Sequence, residues 1–147
     1  MVRLDPLFDG QLEFEGGAHL SMTPPHADNV GYAFGHGTVR GARLTGKVRW
    51  TNTPRRREDG VWLPHFNGLI ETHDEAKVLF DFFGYNVSRT APHDYTQRQV
   101  FAAITFQTND DRYRWLNLIF GLLEAEVAKT KGEPERWRIS VHECARD

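Results

Sequence analysis

The chain has one cysteine, Cys144, so it cannot form an intrachain disulfide, and this fits a reducing compartment. No charge of one sign dominates: 18 Lys and Arg face 20 Asp and Glu, for a net charge of −2. That balance argues against a dedicated nucleic-acid binder, which needs a basic footprint. No apolar run approaches the roughly 18 residues of a membrane span, and Met1 to Gly10 carries Arg3, Asp5 and Asp9 in place of an apolar leader. The expectation is a cytoplasmic protein with neither a membrane nor a nucleic-acid partner. Metal-ligand spacing such as His-Glu-x-x-His is absent among the seven dispersed histidines, and neither metal nor cofactor is expected. A site assembled from separate strands, for example His26, His36 and a carboxylate, is the alternative.

Aromatic side chains are plentiful: ten Phe, four Trp and four Tyr make up 12% of 147 residues, accompanied by 13 Gly and seven Pro. The length is that of one domain, residues 1–147. Period-two alternation recurs along it, the pattern of half-buried strands. Leu12, Phe14, Gly16, Ala18 and Leu20 fall on one face, as do Leu44, Gly46, Val48 and Trp50. Further runs span Val61–Thr72, Ala76–Val87, Arg98–Thr108, Trp115–Val127 and Arg136–Cys144. Thr72-His73-Asp74-Glu75 has the length of a tight hairpin turn, while Thr51–Glu58 and Ser88–Thr96 read as longer connections. Leu122–Lys131 has the best helix propensity, yet the surrounding strands favour strand there too. About eight such strands predict an all-β fold, a single antiparallel, calycin-like β-barrel with a central cavity and little helix.

In the run Val61–Thr72, the residues Val61, Leu63, His65, Asn67, Leu69 and Glu71 share a face that mixes apolar and polar groups, as a ligand-holding lumen does. The opposite face, with Trp62, Phe66, Ile70 and Thr72, is apolar. Glu71 is the candidate acid/base, its pKa raised by an apolar lumen, and His65 a second catalytic candidate. At about 3.3 Å per residue the two stand about 20 Å apart on one strand, so a partner must come from a neighbour. Asn109–Asn117 concentrates recognition-type side chains: Tyr113, Trp115 and Asn117 offer a phenol, an indole and an amide. The alternative for them is a packing corner closing one end of the barrel. Arg43 could hold a ligand carboxylate, or form a surface ion pair. Solvent-facing polar positions remain the alternative for His65, Asn67 and Glu71.

The chain resembles the domain of unknown function 3237 family. The resemblance rests on Gly37-Thr38-Val39-Arg40-Gly41-Ala42-Arg43-Leu44-Thr45-Gly46-Lys47-Val48, then Asp59-Gly60-Val61, Ile70-Glu71-Thr72, Phe106-Gln107-Thr108 and Tyr113-Arg114-Trp115-Leu116-Asn117. It implies a single calycin-like barrel with polar residues pointing into the lumen, and it supplies no general activity. Glu71, Trp115 and Asn117 match that pattern; His65 and Asn67 stand where the family usually has Asp and Arg. The expected function is binding of a small aromatic or carboxylated metabolite in the lumen. That could be as an enzyme (hydrolase, isomerase or lyase) using Glu71, with Arg43, Asn67, Tyr113, Trp115 and Asn117 as ligand contacts. Alternatives are a non-catalytic carrier or sensor, and a homodimer that buries Trp62, Phe66 and Ile70.

Overall fold

The computed structural model describes residues 1–20, 29–88 and 98–146. The strands are β1 (Val2–Leu20), β2 (Asn29–Arg40), β3 (Thr45–Asn52), β4 (Arg55–Arg56), β5 (Trp62–Leu63), β6 (His65–Thr72), β7 (Lys77–Ser88), β8 (Arg98–Gln107), β9 (Phe120–Ala128) and β10 (Arg136–Arg146). A single 3₁₀ turn, Arg114–Leu118, interrupts them. Eight long strands pair in the circular order β1-β10-β9-β8-β7-β6-β3-β2, and β1 pairs with β2 to close the ring. Every long-strand pairing is antiparallel. Closure leaves no long sheet edge exposed, which is how an all-β chain of this size avoids edge-to-edge association.

Alternation decides what fills the barrel. Val48 and Trp50 on β3, Phe66 and Ile70 on β6, and Val78, Phe80 and Phe82 on β7 are buried. So are Val100, Ile104 and Phe106 on β8, and Trp137, Ile139 and Val141 on β10. Phe66 lies at the centre of a ring cluster: it stacks on Phe82 at 4.3 Å and meets Trp50 at 4.8 Å and Trp137 at 4.9 Å. Large rings fit because glycines face them. A Cβ on Gly68 would stand 2.3 Å from the Phe80 ring, and one on Gly35 would stand 2.5 Å from the Trp50 ring. The middle of the lumen therefore retains a void of only about 10 Å³, walled by Phe8, Leu12, Val48, Ile70, Phe82 and Ile104 among others. That is no more than one water needs, so the space for a ligand lies towards an end of the barrel.

Four local expectations change. The run expected over Trp115–Val127 becomes strand only from Phe120, because Trp115–Leu118 lie in the 3₁₀ turn. β2 was not anticipated: Gly31, Gly35 and Gly37 interrupt its apolar pattern, because they stand where strand backbones and rings crowd. Pro64 divides the predicted Val61–Thr72 strand into β5 and β6, since proline cannot donate to the ladder. Leu20 lies exposed beyond a β-bulge between Phe14 and Gly16, which changes the register of β1. Leu122–Ala128 is strand, and Ser88 ends β7; the rest of Ser88–Thr96, like His26 and His93, lies outside the described residues.

Candidate functional site

The two ends of the barrel differ. One is plugged by the 3₁₀ turn, whose Leu116 is fully buried and whose flanking Tyr113 is nearly so. The Tyr113 hydroxyl donates to Asp74 Oδ1 at 2.8 Å, and Thr72 Oγ1 donates to the same oxygen at 2.6 Å. These two bonds, Thr72 first, hold the Asp74 carboxyl below its usual range, while burial and then the hydrogen bond to Asp74 push the Tyr113 phenol up. Arg112 ties Asp110 and the Asp74 carbonyl together, and its hydrogen bonds lower Asp110 to about 2. Trp115 donates its indole N–H to the Arg112 carbonyl, and the Arg43 guanidinium lies 3.6 Å over its ring. Asn117 accepts from Thr108 N–H at 2.8 Å and donates to Thr108 O at 2.9 Å. Arg43, Tyr113, Trp115 and Asn117 thus build the closing corner of the barrel, the last three through hydrogen bonds and the exposed Arg43 by lying over Trp115.

The remaining anticipated site residues face outward, which corrects the expected lumen placement. On β6 it is Phe66, Ile70 and Thr72 that point in, so His65, Asn67 and Glu71 are on the outer surface. The physical reason is that the more apolar of two alternating faces takes the core. Glu71 accepts from Arg49 Nη2 at 2.7 Å, and His65 Nε2 lies 3.0 Å from Asp81 Oδ2. Both are half-exposed surface pairs. Asn67 lies opposite Asp81 on β7 and lines a broad, open outer groove with Thr105 and Asn117. The seven candidates do not converge in one enclosed pocket. His36, also on the outer face, bridges Glu13 at 2.9 Å and Glu15 at 2.5 Å.

Among the described residues, the other end of the barrel forms a cup of about 300 Å³. Its floor is the ring cluster, through Phe14 and Trp137; Phe14 meets Trp50 at 4.5 Å and Trp137 at 5.6 Å. Its wall includes Trp62 of β5, whose ring stands 5.5 Å from that of His19. The polar groups come from three strands where a buried alternation ends on a polar side chain: Asn52 after Val48 and Trp50, Asn86 after Phe80 and Phe82, and Arg98 before Val100 and Ala102. Lys129 and Glu135 stand at the rim, and Glu135 accepts the Trp137 indole N–H at 2.9 Å.

The hydrogen bonds fix how these groups are turned. Asn52 Oδ1 accepts the backbone N–H of His65 at 3.0 Å, and Asn86 Oδ1 accepts Arg98 Nε–H at 2.8 Å. Because each partner can only donate, both carboxamide oxygens are assigned, and each residue's NH₂ remains to line the cup. Among the described residues neither NH₂ has an acceptor. Arg98, 4% exposed, also donates to the carbonyls of Asn86 at 3.0 Å and Gly60 at 3.2 Å. Gly60 has φ +88° in the turn between β4 and β5, so Arg98 anchors the short hairpin that presents Trp62 to the cup. The result is an aromatic-walled recess furnished chiefly with hydrogen-bond donors. Sequence reasoning passed over Asn52, Asn86 and Arg98. Their signal was a polar residue standing in step with a buried apolar series.

No family model matches the chain, and no curated protein matches it. Solved structures do. A protein of unknown function from Clostridium acetobutylicum superposes with a TM-score of 0.81 at 15% identity, covering 99% of this chain and 100% of that one. A β-barrel-like protein from Acinetobacter baumannii gives 0.78 at 16%, with coverages of 99% and 97%. An enzyme from Penicillium herquei gives 0.62 at 21%, covering 94% of each chain. At these identities the likeness establishes the β-barrel fold.

Proposed function

We propose that the protein binds a small aromatic metabolite bearing a carboxylate or carbonyl group, taking it into the cup at the end of the barrel opposite the 3₁₀ turn. The observation that carries this reading is the pairing of two oriented carboxamide donors, on Asn52 and Asn86, with walls of Phe14, Trp62 and Trp137. Aromatic walls supply affinity for a planar ring, and a few placed donors set its orientation. The volume, at the small end of ligand pockets, suits one or two rings. The buried Arg98 adds positive potential, which favours an acceptor-rich or anionic group over a cation, while Lys129 and Glu135 at the rim are of opposite sign. Membership of the domain of unknown function 3237 family, in the cytoplasm, belongs to the same proposal.

The test is a fluorescence titration with benzoate, salicylate and 2-naphthoate, and with 2-methylnaphthalene as the control lacking an acceptor. Trp62 and Trp137 are the reporters. Saturable quenching by 2-naphthoate, weakened about tenfold or more in both Asn52→Ala and Asn86→Ala, is expected for a lost hydrogen bond to a charged group. Equal affinity for 2-methylnaphthalene, or unchanged affinity in both variants, would refute the assignment.

A further inference from the structure

The outer face of β7, β8 and β9 is unusually apolar for a surface already closed into a barrel. Cross-strand register places Phe83 beside Ala103 and Ala103 beside Leu122, with Phe120 beside Thr105 in the next row. Tyr85, with the Arg57 guanidinium 5.6 Å over its ring, extends the patch along β7, and Leu4 lies across β10, opposite Cys144. Phe83, Phe120 and Tyr85 are each about half exposed, at 52%, 51% and 50%. Leu4, Phe83, Tyr85, Ala103 and Leu122 line one shallow depression, and Phe120 stands two residues along β9 from Leu122. Glu124 and His142 line it too, His142 on β10 beside Leu122, while Asp81 and Thr105 lie along its border.

We infer that this face is the interface of a homodimer, with a second copy of the chain as its occupant. Area argues for that occupant. Together, Leu4, Phe83, Tyr85, Phe120 and Leu122 leave about 450 Å² of largely apolar surface exposed, taking a large side chain as about 200 Å². That is within the roughly 300–600 Å² of the largest apolar patch on a monomer, a patch that is often functional. A second copy contributes an equal patch, about 900 Å² of apolar area together; at the roughly 57% apolar share of an interface, that corresponds to the roughly 1,600 Å² of a stable one. An apolar centre inside a polar rim is the composition of such contacts. All eight ring strands are paired on both sides, so the association must be face to face, around a two-fold axis that sets the patch against itself. The homodimer face expected from sequence, Trp62 with Phe66 and Ile70, is unavailable, because Phe66 and Ile70 are inside the barrel. This inference does not rest on the cup, which lies at the barrel's end.

Sedimentation velocity on the full chain, across about 1–200 µM, tests it. The expected species has twice the 16.9 kDa of the chain. Phe120→Glu and Leu122→Arg should each raise the dissociation constant about 100-fold or more, the size of a central interface anchor. Phe34→Glu, an exposed aromatic on β2, should leave it unchanged. Near-UV circular dichroism checks that each variant is folded. If the two patch variants do not fold, hydroxyl-radical footprinting of the wild type replaces them, with Phe83, Phe120 and Leu122 gaining protection as concentration rises. A monomeric wild type, a dimer indifferent to both patch variants, equal weakening by Phe34→Glu, or absent protection overturns the inference.

Discussion

Replacing Arg98 by Met should be the most damaging single change at the cup. The guanidinium is buried and donates to Asn86 Oδ1, Asn86 O and Gly60 O at 2.8, 3.0 and 3.2 Å. Methionine fills most of the volume but donates nothing, so three oxygens lose a partner in a recess where water replaces it poorly. Hydrogen bonds from a charged group contribute about 1.5–3 kcal/mol each, and each buried acceptor left unpaired costs about 1–3 kcal/mol. Relief of the charge's own desolvation offsets part of the loss, and we expect a net destabilisation of about 3 kcal/mol. Urea unfolding followed by tryptophan fluorescence measures it. With a slope of about 2 kcal/mol/M the midpoint should fall by about 1.5 M. Asn86→Leu in the Arg98→Met background should cost much less than in the wild type, because the oxygen it removes has already lost its donor. Since Arg98 also anchors the β4–β5 hairpin, amide exchange should accelerate at Arg57 and Gly60, whose N–H groups bond within that turn. A loss below about 1 kcal/mol, or additive single and double variants, would refute the account of Arg98 as the organising donor of the cup.

Gly68→Ala places a methyl 2.3 Å from the Phe80 ring and 2.6 Å from the Arg49 carbonyl. Phe80 is packed towards Phe82, so we expect a loss of about 1–3 kcal/mol from overpacking, read as a lowered urea midpoint. His36 is raised above its usual value, chiefly by its hydrogen bond to Glu15, with Glu13 adding to it. A group raised on folding stabilises fully below its unfolded pKa, about 6.5, and loses that contribution as pH rises through the higher folded value. The stability gap between wild type and His36→Gln should therefore be widest near about pH 5.5 and narrow by about pH 8.5. Urea midpoints across that range measure it, and parallel profiles would contradict the ion-pair geometry on β1 and β2.

Much of the architecture was legible from residues in order. Val100, Ala102, Ile104 and Phe106, or Trp137, Ile139 and Val141, announce strands buried on one side, because a period of two is the only way a chain keeps such a series on one face. Several of these with little helix imply a closed barrel. β2 escaped because its function in the fold is to give space: Gly35 makes room for the Trp50 ring, and a residue without a side chain leaves no periodic trace. The packing-corner alternative for Tyr113 and Trp115 was also legible, since a dense run of phenol, indole and acid serves a corner as readily as a ligand.

Which face of a strand turns inward, and which side chains from distant strands meet, was decided by the tertiary structure. β6 offered a mixed face and an apolar one, and ring closure set Phe66 against Phe82 and Trp137. That left Glu71 and His65 outside, with Arg49 and Asp81 as partners. Asn52, Asn86 and Arg98 lie on three strands, and only the closed order of the sheet brings them to one mouth. By itself the sequence determined composition, period and turns, because these depend on neighbours along the chain. The site depends on neighbours across the barrel, and the apolar residues that had to be buried chose them.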